Sequence, residues 1–164
     1  MNIHFKMSQL LRQEVLTRLF LPHSFAHERV GFLSCRVAAT VNGMLVLAGD
    51  FHPVRDTDYL EDHSVGAMMG PAAIRKALQL AYNNACSMFH VHCHEHKGRP
   101  GFSGTDFRET AQFVPDFFNV QPALPHGALI LSTDSAVGLC WTGQTNLPLP
   151  LAKISFVGEV LKLI

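Results

Sequence analysis

The stretch HVHCHEHKGRPGFSGTD, residues 90–106, places four histidines on alternate positions and ends on an aspartate. Seven residues thus hold four of the ten histidines in this 164-residue chain. The residues from Ser87 onward, SMFHVHCH, alternate as a half-buried β-strand does. In a strand, side chains two positions apart lie on the same face about 7 Å from each other. The pattern therefore predicts a strand with a row of imidazoles on one face and Cys93 on the other. Histidines outside the row, including His126, fall in predicted loops or strand ends and are expected at the surface.

The flanking sequence predicts helices and strands in mixed order around this strand. We expect a helix after an N-cap at Ser8, a hairpin turning at Asn42-Gly43, a helix from Pro71, a helix starting at Ser103, a second hairpin after residue 126 and one or two strands at the end. This order favours an α/β (α+β) fold in which helices flank a mixed, largely antiparallel sheet. We predict a single domain over residues 1–164.

Composition excludes several classes of function. The 13 basic side chains balance 13 acidic ones, so there is no electrostatic footprint for nucleic acid or for an anionic membrane. The longest apolar runs fall far short of the roughly 20 residues that cross a bilayer. Charged residues interrupt the N-terminal segment, so it does not resemble a secretory signal. The four cysteines are scattered, which favours reduced, buried thiols. We expect a cytoplasmic protein.

Two histidines on alternate positions of a strand can bind one metal ion together. Imidazole suits zinc, and a catalytic zinc site takes three protein ligands with one position left for water. A glycine- and proline-rich loop follows the histidines and allows the chain to turn back. The helix starting at Ser103 would then bring Asp106 toward the strand as the third ligand. An ordinary capping box, with no metal nearby, would also explain the spacing of Ser103 and Asp106.

The full set of motifs resembles that of the JAMM metalloproteases, the JAB/MPN family. Their pattern is an upstream glutamate, then HxH, then about seven residues, then SxxD. The matching residues are Glu28, His92, His94, Ser103 and Asp106. As in the family, the glutamate stands three residues before a glycine, Gly31, that opens an apolar strand. Glu95 differs, since many members carry proline after the second histidine. The resemblance implies an MPN/JAB-like, cytidine-deaminase-like fold.

The choice of histidine pair stays open. Eight residues separate His94 from Ser103, one more than the family usually has. The shifted pair His94 and His96 leaves six, one fewer, and a pair using His90 is further off. We prefer His92 and His94, because some members carry another histidine two places after the metal pair, where His96 falls. His90 and His96 would then support the ligands or face the substrate.

The resemblance implies a zinc hydrolase and a role for each matching residue. Zinc would be bound by His92, His94 and Asp106, with water as the fourth ligand. Glu28 would act as general base toward that water and then protonate the leaving amine. Ser103 would help to hold the oxyanion, as the family serine does.

The substrates that the resemblance implies are ubiquitin or ubiquitin-like proteins and their conjugates. Family members most often cleave the isopeptide bond that joins the C-terminus of such a protein to a lysine, so a deubiquitinase-like isopeptidase is expected. The size of the chain is similar to that of compact prokaryotic members, which are associated with ubiquitin-like conjugation systems, some of them antiviral. Another subunit of such a system is therefore an expected partner.

Two other functions are compatible with the same residues. A non-haem iron oxygenase also uses two histidines and one carboxylate with open positions. A non-catalytic MPN scaffold would bind a partner without cleaving it, although scaffolds of that kind usually lack the ligands. The position of Glu28 and the SxxD motif favour the hydrolase.

Overall fold

A mixed sheet forms the centre of the fold, and helices cover both of its faces. The structure is a computed structural model that describes residues 1–23 and 26–158. In these ranges the strands are β1 (Asn2–Ser8), β2 (Val30–Thr40), β3 (Gly43–Pro53), β4 (Tyr59–Leu60), β5 (Met68–Met69), β6 (Ser87–Cys93), β7 (His126–Leu131), β8 (Ala136–Trp141), β9 (Leu149–Pro150) and β10 (Lys153–Val157). The helices are α1 (Gln9–Leu19), α2 (Pro71–Asn84) and α3 (Gly104–Phe113), with short 3-10 helices at Asp56–Asp58 and Val114–Asn119.

The strand order explains why β6 lies near the middle of the molecule. Within the described residues the main sheet has eight strands in the order β10-β1-β3-β2-β6-β7-β8-β9, and β4 pairs only with β5. Neighbours are antiparallel at four of the seven contacts of the main sheet and parallel where β1 meets β3 and β10 and where β6 meets β7. The predicted mixed α/β class, a sheet flanked by helices, is therefore confirmed.

The predicted N-terminal helix is α1, and its cap is the predicted one. The Leu11 N–H donates to Ser8 Oγ at 3.0 Å, and the helix buries Leu11, Val15 and Leu19. The preceding strand β1 was not predicted. Its burial alternates, with Ile3 and Phe5 inside, so the period-2 signal was present in a short segment.

Most of the remaining predicted elements are also present. The turn at Asn42-Gly43 joins the antiparallel strands β2 and β3, and Pro71 opens α2. Strands β7 and β8 form the second predicted hairpin. Near the C-terminus β10 is the predicted strand, and the last part of that prediction, residues 159–164, lies outside the described residues.

Strand β6 divides two apolar clusters because its side chains alternate. Phe89, Val91 and Cys93 belong to the cluster that contains the buried residues of α1, whereas Met88 belongs to the cluster that contains those of α2. Cys93 therefore faces away from the histidines, as predicted. All four cysteines are free and buried, and no helix in the described part of the chain is long and apolar enough to cross a bilayer.

His126 was expected on the surface, and this expectation is wrong. It begins β7 and is fully buried. Its Nδ1 accepts the Met88 N–H at 3.1 Å, and its Nε2 lies 3.2 Å from the Gln121 carbonyl oxygen. Because both ring nitrogens have backbone partners, the imidazole is tolerated inside the core.

Candidate metal centre

The histidine row lies where β6 ends. The ring centroids follow one another at 5.7 Å from His90 to His92, 5.1 Å from His92 to His94 and 5.8 Å from His94 to His96. His94 comes just after the strand, and its N–H donates to the Leu131 carbonyl oxygen at 2.8 Å. This bond keeps the backbone beside β7 for one more residue. The predicted row of imidazoles is therefore present, buried at His90 and His92 and exposed at His96.

Glu28 reaches this row because of the register between β2 and β6. Val30 is paired with His92, so Glu28, two residues earlier, lies beside the position that follows β6. The Gly66 carbonyl oxygen accepts the backbone N–H groups of His27 at 2.8 Å and Glu28 at 2.9 Å. The carboxylate of Glu28 then lies with Oε1 4.0 Å from His94 Nε2.

Asp106 approaches from the other side, on the first turn of α3. Ser103 caps this helix: its Oγ accepts the Asp106 N–H at 3.1 Å, and its own N–H donates to Asp106 Oδ2 at 2.7 Å. This capping box leaves the second carboxylate oxygen unused. Oδ1 lies 3.5 Å from His92 Nε2. The loop after β6 therefore brings the helix tip back to the strand, as the sequence predicted.

The arrangement fits a divalent metal ion. Glu28, His92 and His94 offer ligand atoms that all lie within 4.8 Å of one another, so these three side chains could hold one ion. His92 Nε2 is buried and has no hydrogen-bond partner among the described residues. Imidazole and carboxylate donors are the ligands that zinc and iron prefer. A bound cation would give this buried nitrogen, which lies 3.5 Å from Asp106 Oδ1, a partner.

The two carboxylates lie at different distances from the imidazoles. With metal–ligand bonds of about 2.0–2.2 Å, two ligands of one tetrahedral zinc ion lie about 3.3–3.5 Å apart. The 3.5 Å from His92 Nε2 to Asp106 Oδ1 matches this length, whereas the 4.0 Å from His94 Nε2 to Glu28 Oε1 exceeds it. His92 and Asp106 therefore have the spacing of two ligands of one ion, although the three side chains whose ligand atoms all lie within 4.8 Å of one another are Glu28, His92 and His94. Glu28 and His94 are slightly farther apart than two such ligands, a separation that also suits a carboxylate acting beside the ion.

Burial sets the protonation of the centre. Burial lowers the pKa of His92, the Asp106 carboxylate opposes this shift and the nearby His94 adds to it, and together they bring this pKa to about 4. His92 is therefore neutral at pH 7, as a metal ligand must be, and its contact with Asp106 is not an ion pair. Burial also raises the pKa of Glu28; His94 and His27 oppose this shift, and Asp106 adds to it. A carboxylate with a raised pKa is a better proton acceptor at neutral pH.

All five predicted site residues thus meet at one place, but one contributor was missed. Gly66, which holds the backbone of Glu28, is 38 residues away along the chain and carries no local signal of that contact.

The comparisons with known proteins do not identify a family. No protein-family model matches the chain, and no curated protein matches it.

Proposed function

We propose that the protein is a zinc-dependent isopeptidase or peptidase of the JAMM type, which hydrolyses the amide bond after the C-terminus of ubiquitin or a ubiquitin-like protein. The observation that carries the proposal is the meeting of Glu28, His92, His94 and Asp106 around the unpartnered Nε2 of His92. The order of these residues in the sequence, with SxxD at the helix tip, supports this chemistry over other metal-dependent reactions.

His92, His94 and Asp106 would hold the ion. The capping box aligns Asp106, because the Ser103 N–H occupies Oδ2 and leaves Oδ1 toward His92. Zinc bound there would act as a Lewis acid and lower the pKa of a bound water to about 7. Neutral imidazoles and an oriented carboxylate are the ligand states that such binding requires.

Glu28 would move the proton. It takes a proton from the attacking water and delivers it to the amine as the amide C–N bond breaks, so the amine leaves neutral and the acyl carbon gains the hydroxyl. Burial raises its pKa, which brings it closer to the working pH. The two backbone bonds to Gly66 hold the residue in place for both transfers.

Ser103 would stabilise the oxyanion. Its Oγ accepts the Asp106 N–H, so the hydroxyl proton remains available for donation. Removing one such donor typically lowers the rate by about 100-fold or more. Ser103 is exposed, which leaves it accessible to a substrate carbonyl group.

The test is cleavage of a defined conjugate. Zinc-loaded protein is incubated with a ubiquitin-like protein fused or conjugated through its C-terminus, with and without chelator. Cleavage is expected at the end of the modifier and is expected to disappear with chelator and in Glu28→Gln, which should fold normally. Glu14→Gln, at an exposed position of α1, is the matched control and should retain activity. Stoichiometric zinc without cleavage of such substrates, or full activity in Glu28→Gln, would contradict the proposal.

One observation favours a second candidate. Glu28, His92 and His94 alone form a set of two histidines and one carboxylate, the ligand pattern of non-haem iron oxygenases. Metal analysis of protein purified without added metal distinguishes the two functions. Stoichiometric iron with oxygen-dependent turnover would favour the oxygenase, and zinc with hydrolysis would favour the peptidase.

A further inference from the structure

A cavity of about 400 Å³ adjoins the candidate metal centre. Glu28, His92 and Asp106 line it on the side of the centre, and α2, α3 and residues 65–69 line most of the rest. Cavities of about 150 Å³ already admit a benzene ring. There is therefore room for a ring-bearing side chain beside the place where the amide would be cleaved.

The lining favours an aromatic occupant. Met68 and Met69, together with Ile74 of α2 and Phe113 of α3, contribute most of its large apolar side chains. Methionine is adaptable, and its sulfur makes favourable contacts with aromatic rings. A ring at this position could also meet Phe113 edge to face.

His90 is a buried polar residue in the lining of this cavity. It lines the cavity and is 6% exposed, with its ring packed against Phe32 at 5.6 Å and Phe113 at 5.2 Å. Neither Nδ1 nor Nε2 has a hydrogen-bond partner among the described residues. Buried polar groups are normally paired, and a phenylalanine would fill the same space without this cost. The imidazole therefore needs a partner that the described part of the chain does not provide.

Charge restricts what that partner can be. The carboxylates of Glu28, Asp106 and Glu109 line the same cavity. They disfavour an occupant that carries a carboxylate or a phosphate. A phenol hydroxyl is neutral, and since it both donates and accepts, it can pair with either form of the imidazole.

We propose that this cavity binds a phenolic side chain, that of a tyrosine next to the scissile amide, and that His90 is the specificity-determining residue that hydrogen-bonds its hydroxyl. The link to cleavage rests on the proposed peptidase function, whereas the binding itself does not. A tail that ends in glycine leaves the cavity empty. Substrates with tyrosine beside the cleaved bond are therefore preferred over those with glycine.

The binding is tested with small probes on the metal-free protein, by amide chemical shifts in NMR. The probe p-cresol should shift the resonances of Met68, Met69 and Phe113. Toluene, which lacks only the hydroxyl, should bind about 2- to 12-fold more weakly, the equivalent of one net hydrogen bond. Phenyl phosphate should not bind. The proposal is overturned if p-cresol leaves these resonances unchanged, or if toluene or phenyl phosphate binds as tightly.

Three variants test whether His90 and the cavity are responsible for the preference for p-cresol over toluene. In His90→Phe the two probes should bind equally and the protein should be at least as stable, because two unpaired nitrogens are removed. His4→Phe makes the same exchange at an exposed position of β1 and should keep the preference for p-cresol. Ile74→Trp fills the cavity and should abolish binding of both probes. A preference that survives in His90→Phe, or binding that survives in Ile74→Trp, contradicts the proposal.

These assays need neither metal nor turnover. If the probes bind as expected but conjugates are not cleaved, the peptidase proposal fails and the pocket stands. If conjugates are cleaved but the probes do not bind, the pocket assignment fails and the peptidase proposal stands.

Discussion

Gly66→Ala tests whether the position of Glu28 matters to catalysis. A Cβ at Gly66 would lie 2.6 Å from Glu28 Oε2 and 2.9 Å from its Cδ. Ordinary contact begins at 3.4 Å, so the carboxylate has to move by about 0.8 Å. The loop cannot simply swing away, because the Gly66 carbonyl oxygen accepts two backbone hydrogen bonds, from His27 and Glu28.

The expected result is a loss of rate without a loss of stability. A displacement of about 1 Å in a catalytic group can lower the rate about 100-fold, and we expect kcat/KM for conjugate cleavage to fall by that order. Gly66 has no left-handed φ, so alanine is tolerated by the backbone, and the free energy of unfolding should change by less than about 1 kcal/mol. Zinc content should stay stoichiometric, because the three atoms nearest to the new methyl group all belong to Glu28 and none to His92, His94 or Asp106.

Gly101→Ala is the matched control, since a Cβ there meets nothing within 4 Å. Activity, zinc content and denaturant unfolding are measured on both variants and on the wild type. Full activity in Gly66→Ala would refute the reasoning, because Glu28 would then tolerate displacement. Loss of zinc in Gly66→Ala would show instead that Glu28 is itself a ligand.

Three further predictions concern protonation and metal binding. Burial lowers the pKa of His126 to about 4 from 6.5, so the unfolded state takes up the proton first and the free energy of unfolding falls as pH drops below 6.5. From pH 7.5 to 5 the wild type should therefore lose about 2 kcal/mol more of this free energy than His126→Asn, as measured by urea titration. Equal losses in the two proteins would contradict this prediction. Removing a residue that only supports a metal ligand typically weakens metal binding roughly 10- to 100-fold. Asp106→Asn should weaken zinc binding by more than this and Glu28→Gln by less, as measured by competition with a chelating dye. The reverse order would make Glu28 the ligand. His92→Ala should lose zinc and His96→Ala should keep it, and the opposite result would shift the ligand pair by two residues.

Short-range signals in the sequence predicted the parts of the site that are close together along the chain. The alternation from Ser87 to His94 predicted a strand with imidazoles on one face, and the capping box at Ser103 predicted a helix that starts there. Both patterns depend on local geometry, namely the two-residue period of a strand and the orphan N–H groups of a helix tip. Glu28 was found differently, by its place in a family motif.

Long-range packing determined how the site residues that are far apart along the chain come together. The pairing of Val30 with His92 brings Glu28 to the end of β6, and the Gly66 carbonyl oxygen holds it there. No periodicity predicts such contacts, because they depend on which strands pair and in which register. The same reason explains the error at His126, whose two backbone partners exist only once β7 lies beside β6.

The residue types and their spacing were therefore sufficient to propose a metal centre at the histidine row and Asp106, and the resemblance to a family motif added Glu28. Only the tertiary structure shows that Asp106 contacts His92 and that His90 lines a cavity beside the centre. Ligand chemistry is a property of side chains and can be inferred from their order. Distances and cavities arise from segments that are far apart in sequence, and they exist only after the sheet and its helices have packed together.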